Sequence, residues 1–284
     1  CFMRKRISFI SVLTMFLAIG FVIIFSRPVK AAANGVILKA NRTYAAYDVT
    51  GDGMKDKIRI RAANQTDDEA YTSLTVSVNG KTACRLKNTR FYNVIANIYT
   101  LKNGQPFLYL YAPAENGDGP VCALLKYTNG KFRKALDFTE IMAGYGDHRI
   151  GEVTNLNGNK IVITESIVSY SLGINAINFT YKYVNGKFVP TSRYGSYKEI
   201  YSTDGSSRYF TVNSDLPAYA RPGATAVNTT LKAGSLTKII KCALISGKMY
   251  IQLECDGEIY WIKALENPPI ADNERQFMEV RYAG

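Results

Sequence analysis

Asp48, Thr50 and Asp52 place side-chain oxygens at every second position of the segment Asp48-Val49-Thr50-Gly51-Asp52-Gly53-Met54-Lys55-Asp56. Alternating hard oxygens, with glycine for a sharp turn, are what a calcium ion needs. The twelfth position is Arg59, not an acid, and the flanks Ala45-Ala46-Tyr47 and Lys57–Arg61 read as strands, which disfavours a helix–loop–helix calcium hand. The same residues also suit a plain Asp-Gly turn with solvated acids. Candidates for catalysis are few. His148 is the single histidine, and Cys84, Cys122, Cys242 and Cys255 contain no CxxC pair and no recognisable nucleophile context. Zinc hydrolysis needs several ligands that this composition lacks. No catalytic residue and no organic cofactor site is assigned.

The elements that must position these residues read as strands. Tyrosine is abundant at 20 residues, and with Phe, Thr and Val it favours half-buried pleated surfaces. Asn-Gly recurs at residues 79–80, 103–104, 129–130, 157–158 and 185–186, mostly between β-rich runs, and it adopts the positive φ that tight hairpins require. The pattern K-Y-x-N-G-K-F occurs at Lys126–Phe132 and Lys182–Phe188, with a weaker version from Val76. A second set of similar segments starts at Asp48, Asn97 and Glu152. Both sets have a period of about 50 residues. Three units of four short strands and two tight turns are therefore expected, with chance similarity among hairpins as the alternative. Residues 202–208 are polar and turn-rich and read as a linker. Strands are expected beyond it at Tyr209–Val212, Thr237–Ile245, Met249–Cys255 and Glu258–Lys263. A turn near Ser246-Gly247 sets Cys242 opposite Ile251 rather than Cys255, so buried free thiols are expected.

The N-terminal stretch has its own logic. Arg4, Lys5 and Arg6 precede a run from Ile7 to Ser26 without charge, and Val29 and Ala31 are small residues at a possible cut. This is the layout of a secretory signal over residues 1–33; an uncleaved membrane anchor is the alternative. Its removal lowers the net charge from +12 to +7, because it holds five basic residues and no acid. The remaining excess lies in residues 34–208, scattered along the chain. Scattered charge reads as a solvated surface with weak attraction to anionic wall polymers, and together with export it argues against nucleic acid.

Two resemblances follow. Leu216-Pro217-Ala218-Tyr219-Ala220-Arg221-Pro222-Gly223, Leu231-Lys232-Ala233-Gly234-Ser235, Tyr250–Leu253 and Tyr260-Trp261-Ile262 follow in the order of bacterial SH3-like domain motifs over about 210–264. The last departs from the family, with Tyr260 where glycine is usual. This resemblance implies a small barrel that contacts peptidoglycan. Asp48–Asp56 resembles the calcium loops of FG-GAP and related propeller repeats. That implies one weak calcium site, with side-chain oxygens from Asp48, Thr50 and Asp52, the Met54 carbonyl and the Asp56 carboxylate; Thr50 departs from the usual Asp or Asn. The expected architecture is all-β: a propeller-like antiparallel repeat domain at 35–201, a linker at 202–208 and an SH3-like barrel at 209–284. The expected function is non-catalytic binding of peptidoglycan or an extracellular protein by a secreted, wall-associated protein. Membrane contact would come only through an uncleaved signal. A wall-turnover enzyme or inhibitor, and a structural surface protein without a ligand, are the alternatives.

Overall fold

Asn79-Gly80, Asn129-Gly130 and Asn185-Gly186 carry positive φ at both residues, the backbone of a type I′ turn, and each closes a two-residue hairpin. The computed structural model describes residues 35–282, which lie in the compact unit Ala32–Gly284. The expected signal, residues 1–33, lies outside the described residues.

The chain is all-β. After β1 (Gly35–Leu38), strands β2 (Thr43–Tyr47), β3 (Asp56–Gln65), β4 (Tyr71–Val78) and β5 (Lys81–Phe91) form one antiparallel meander. A second comprises β6 (Ile95–Thr100), β7 (Pro106–Ala112), β8 (Val121–Thr128) and β9 (Lys131–Asp137), with β1 added beside β6. A third comprises β10 (Gly146–Asn157), β11 (Lys160–Ser169), β12 (Gly173–Val184) and β13 (Lys187–Pro190).

Burial patterns show how the meanders stack. Along β3 buried and exposed residues alternate, as in a sheet with one wet face. Strand β7, Pro-Phe-Leu-Tyr-Leu-Tyr-Ala, is buried at every residue from Phe107. Its Leu108 and Leu110 pack with Ile58, Ile60 and Val76 of the first meander. Its Phe107, Tyr109 and Tyr111 pack with Val153, Ile161 and Ile163 of the third. The middle sheet is apolar on both faces because both are covered.

Tyrosines join the second meander to the third. The hydroxyls of Tyr109 and Tyr111 donate to the carbonyls of Gly151 and Arg149 at 2.7 and 3.0 Å, and that of Tyr99 reaches Val153 at 3.5 Å. The acceptors are alternate residues of β10, the edge of its sheet, so the phenols satisfy backbone groups that an edge leaves open.

Beyond β13 the third sheet continues. Strand β14 (Tyr194–Ser202) pairs with β12. The expected linker at 202–208 is a tight hairpin, in which β15 (Gly205–Ser206) folds back onto β14 and Ser202 Oγ donates to the Gly205 carbonyl. The remaining strands are β16 (Tyr209–Thr211), β17 (Leu216–Ala218), β18 (Thr229–Leu231), β19 (Leu236–Ile245), β20 (Lys248–Cys255) and β21 (Glu258–Lys263). Because β14 pairs with β19, one sheet runs β10-β11-β12-β14-β19-β20-β21. Its core side joins Ile177, Tyr197 and Ile200 to Phe210, Ile239, Cys242, Ile251 and Phe277 without a break. Cys242 stands opposite Ile251, and all four cysteines after the N-terminal segment are free thiols, three buried and Cys84 half-buried.

Candidate functional site

The Asp48–Asp56 loop joins β2 to β3. Asp48 Oδ1 accepts from the amides of Gly51 (2.6 Å) and Asp52 (3.2 Å), and its Oδ2 accepts from Gly53 (2.8 Å). Asp48 is lowered in pKa: these amides and the Thr50 hydroxyl outweigh an upward push from desolvation. Asp56 is 1% exposed; its Oδ2 accepts from the amides of Val49 (2.7 Å) and Thr50 (2.9 Å), and its Oδ1 from Asn79 Nδ2 (2.6 Å). Asn79, in the β4–β5 turn, also accepts from Lys57 N through Oδ1, so the side chain ties the two corners together. Thr50 Oγ1 lies within hydrogen-bonding range of both Asp48 Oδ1 and Asp56 Oδ1. Asp52 does not join them: its Oδ1 accepts from the Met54 amide. Among the described residues no three Asp, Glu, His or Cys side chains gather to hold a metal ion. As arranged, Asp48, Thr50, Asp52, Met54 and Asp56 do not fit a calcium shell of six to eight oxygens. N–H donors hold both oxygens of Asp48 and of Asp56 and one oxygen of Asp52.

His148, on β10, faces Glu165 of β11, with Nε2 and Oε2 3.2 Å apart. The contact is off the hydrogen-bonding line, so both Glu165 oxygens lack a donor although the residue is 1% exposed. Burial, reinforced by Asp137, pushes the Glu165 carboxyl well above the usual range. Burial also lowers His148, against the attraction of Asp137 and Asp118. A Cβ on Gly151 would collide with the Phe138 ring and Glu165 Oε1, so glycine is required at that crossing. Cys122 contacts Gly151, and burial holds its thiol far above the range of a nucleophile. Burial thus favours the uncharged forms of Glu165, Cys122 and the half-buried His148.

A different arrangement lies on the outer face of the long sheet. Cross-strand register sets one residue per strand in line: Glu152, Thr164, Asn178, Ser196, Lys241, Gln252 and Trp261. Next to it, Tyr194, Ala243, Tyr250 and Lys263 form a second row. Trp261 is buried with Tyr219, Ala243 and Tyr250, and Tyr219 and Trp261 exchange backbone hydrogen bonds of 2.7 and 2.9 Å. Cations lie over these rings. Lys241 Nζ is 4.6 Å from the Tyr194 centroid and 5.9 Å from that of Trp261, Lys263 Nζ is 5.1 Å from Tyr219, and the Arg193 guanidinium is 5.3 Å from Tyr194. Among the described residues none of the three is ion-paired with a carboxylate.

Comparison with known proteins found no matching family model, no matching curated protein and no matching solved structure. Sequence reasoning placed Trp261 in the Tyr260-Trp261-Ile262 motif and missed Tyr194, Lys241 and Lys263 as its neighbours. Their only advance signal is basic residues at alternate strand positions beside aromatic ones, a pattern that many solvated strands share.

Proposed function

We propose that this chain is an exported, cell-wall-associated binding protein that acts through the aromatic and cationic face of its C-terminal half. The observation that carries this reading is the set Arg193, Lys241 and Lys263, held over Tyr194, Trp261 and Tyr219 without carboxylate partners. Cations fixed by ring contacts and not neutralised internally attract an anionic polymer at little ordering cost. The stacked meanders serve as a propeller-like support and the β16–β21 region as an SH3-like module. Peptidoglycan is the partner class that this module's motifs imply and that an anionic, sugar-rich wall supplies. Binding, rather than catalysis, suits a chain in which burial disfavours the charged forms of Glu165, Cys122 and the half-buried His148. Cell export by the N-terminal segment should leave a first residue between Ala32 and Gly35, which sequencing of the exported protein would show. Co-sedimentation with purified peptidoglycan sacculi tests the function: the exported protein should pellet with sacculi at low salt. Retention in the supernatant at every salt concentration would exclude wall binding.

A further inference from the structure

Strand β12 pairs with β14 over Asn175–Asn178 and with β13 over Tyr181–Val184, so the sheet forks between them. At the fork lies a recess of about 300 Å³ whose lining includes Asn178, Thr180, Ser192, Tyr194, Ser196 and Lys241. That is the small end of ligand-site volumes. The Asn178 amide is oriented from behind: Thr164 Oγ1 donates to its Oδ1 at 2.7 Å, and its Nδ2 has no partner among the described residues. The other contributions are hydroxyls, one partly exposed aromatic ring and one ammonium group without a counter-ion among the described residues.

We infer that this recess holds one anionic sugar ring of a glycan strand. Asn178 Nδ2 and the Ser192, Ser196 and Thr180 hydroxyls suit ring hydroxyls or an acetamido group, and Lys241, held over the Tyr194 ring at the border of the recess, takes the acid. A neutral sugar would leave the ammonium without a charge partner. The inference rests on the wall-binding reading above and narrows it to a glycan contact outside the barrel-like region.

The test uses the exported chain and three soluble probes, followed by calorimetry and by saturation-transfer NMR. N-acetylmuramic acid and N-acetylglucosamine differ by one carboxylate-bearing ether, and glucose 6-phosphate separates a carboxylate from a phosphate source. N-acetylmuramic acid should bind up to about fivefold more tightly than N-acetylglucosamine, the gain that an accessible charge pair contributes. Lys241→Gln should erase the preference, Lys241→Arg should retain it, and Arg59→Gln, on the first meander, should leave it unchanged. Glucose 6-phosphate binding as tightly as N-acetylmuramic acid would assign the site to either anion; weaker binding would assign it to the carboxylate. Equal affinity for the two N-acetyl sugars, or a preference unaffected by Lys241→Gln, overturns the inference. If sacculi are still bound in that case, the glycan pocket falls and wall binding stands; loss of both removes both.

Discussion

Asp56 is buried and accepts from the Val49 and Thr50 amides and from Asn79 Nδ2. Its loss strands the buried Val49 amide, at about 1–3 kcal/mol, and two partly buried donors at less. Asp56→Ala should therefore cost ~3 kcal/mol and lower the melting temperature by roughly 6–12 °C for a chain of this size. Because amides hold the Asp48 and Asp56 carboxylates and Asp52 stands apart from them, melting temperatures in chelator and in millimolar calcium should coincide. A calcium-dependent rise that disappears in Asp52→Ala would show that the loop rearranges into a cation shell. Glu165 gives a second prediction at this scale. Its folded pKa is raised by burial, so its contribution to stability is full below the ordinary glutamate range near 4.5 and is lost as pH rises towards the folded value. His148 is depressed and has the opposite sign: its contribution is present above about 6.5 and lost as pH falls. As pH rises above the ordinary glutamate range, wild type should lose stability relative to Glu165→Gln, at up to about 1.4 kcal/mol per pH unit until the folded carboxyl ionises, measured by urea unfolding. Parallel pH profiles for the two proteins would show that Glu165 ionises in the fold without cost.

At the scale of elements, the tyrosine contacts on β10 replace a missing strand. Tyr109→Phe removes the donor to the buried Gly151 carbonyl and should cost about 1–2 kcal/mol, seen as a fall of roughly 2–8 °C in melting temperature. No change would mean that water satisfies the carbonyl. The hairpins themselves were legible in the sequence, because Asn-Gly encodes positive φ within two residues and needs no tertiary context. The register of Cys242 against Ile251 followed from counting outward from Ser246-Gly247. The β14–β19 pairing was not legible. It joins Tyr194–Ser196 to Lys241–Ala243 across 45 residues, and nothing local in Ser202–Arg208 distinguishes a tight hairpin from a tether. That pairing changes what a fragment should do. A chain from Ser206 to Gly284 lacks β14 and uncovers Ile239 and Cys242, so it should show no cooperative thermal transition. A sharp transition in that fragment would show that β16–β21 close a core without β14.

At the scale of the whole molecule, three stacked meanders bury both faces of the middle sheet and leave the long sheet's outer face as the place where side chains from distant segments meet. Glu152, Asn178, Ser196, Lys241 and Trp261 are separated by tens of residues and share a row only through strand register. This is why the candidate face could not be found by motif, whereas Asp48–Asp56 is contiguous and could. The most direct measurement is the bound fraction on peptidoglycan sacculi across a salt series, for wild type and for the double variant Lys241→Gln, Lys263→Gln. Both residues lie on ring faces at the surface, so the variant should keep its melting temperature within a few degrees. Wild-type binding should weaken steeply with salt, and the double variant should bind at least about tenfold less at low salt with a shallower salt dependence. Equal binding by both proteins at every salt concentration would contradict the assignment of this face.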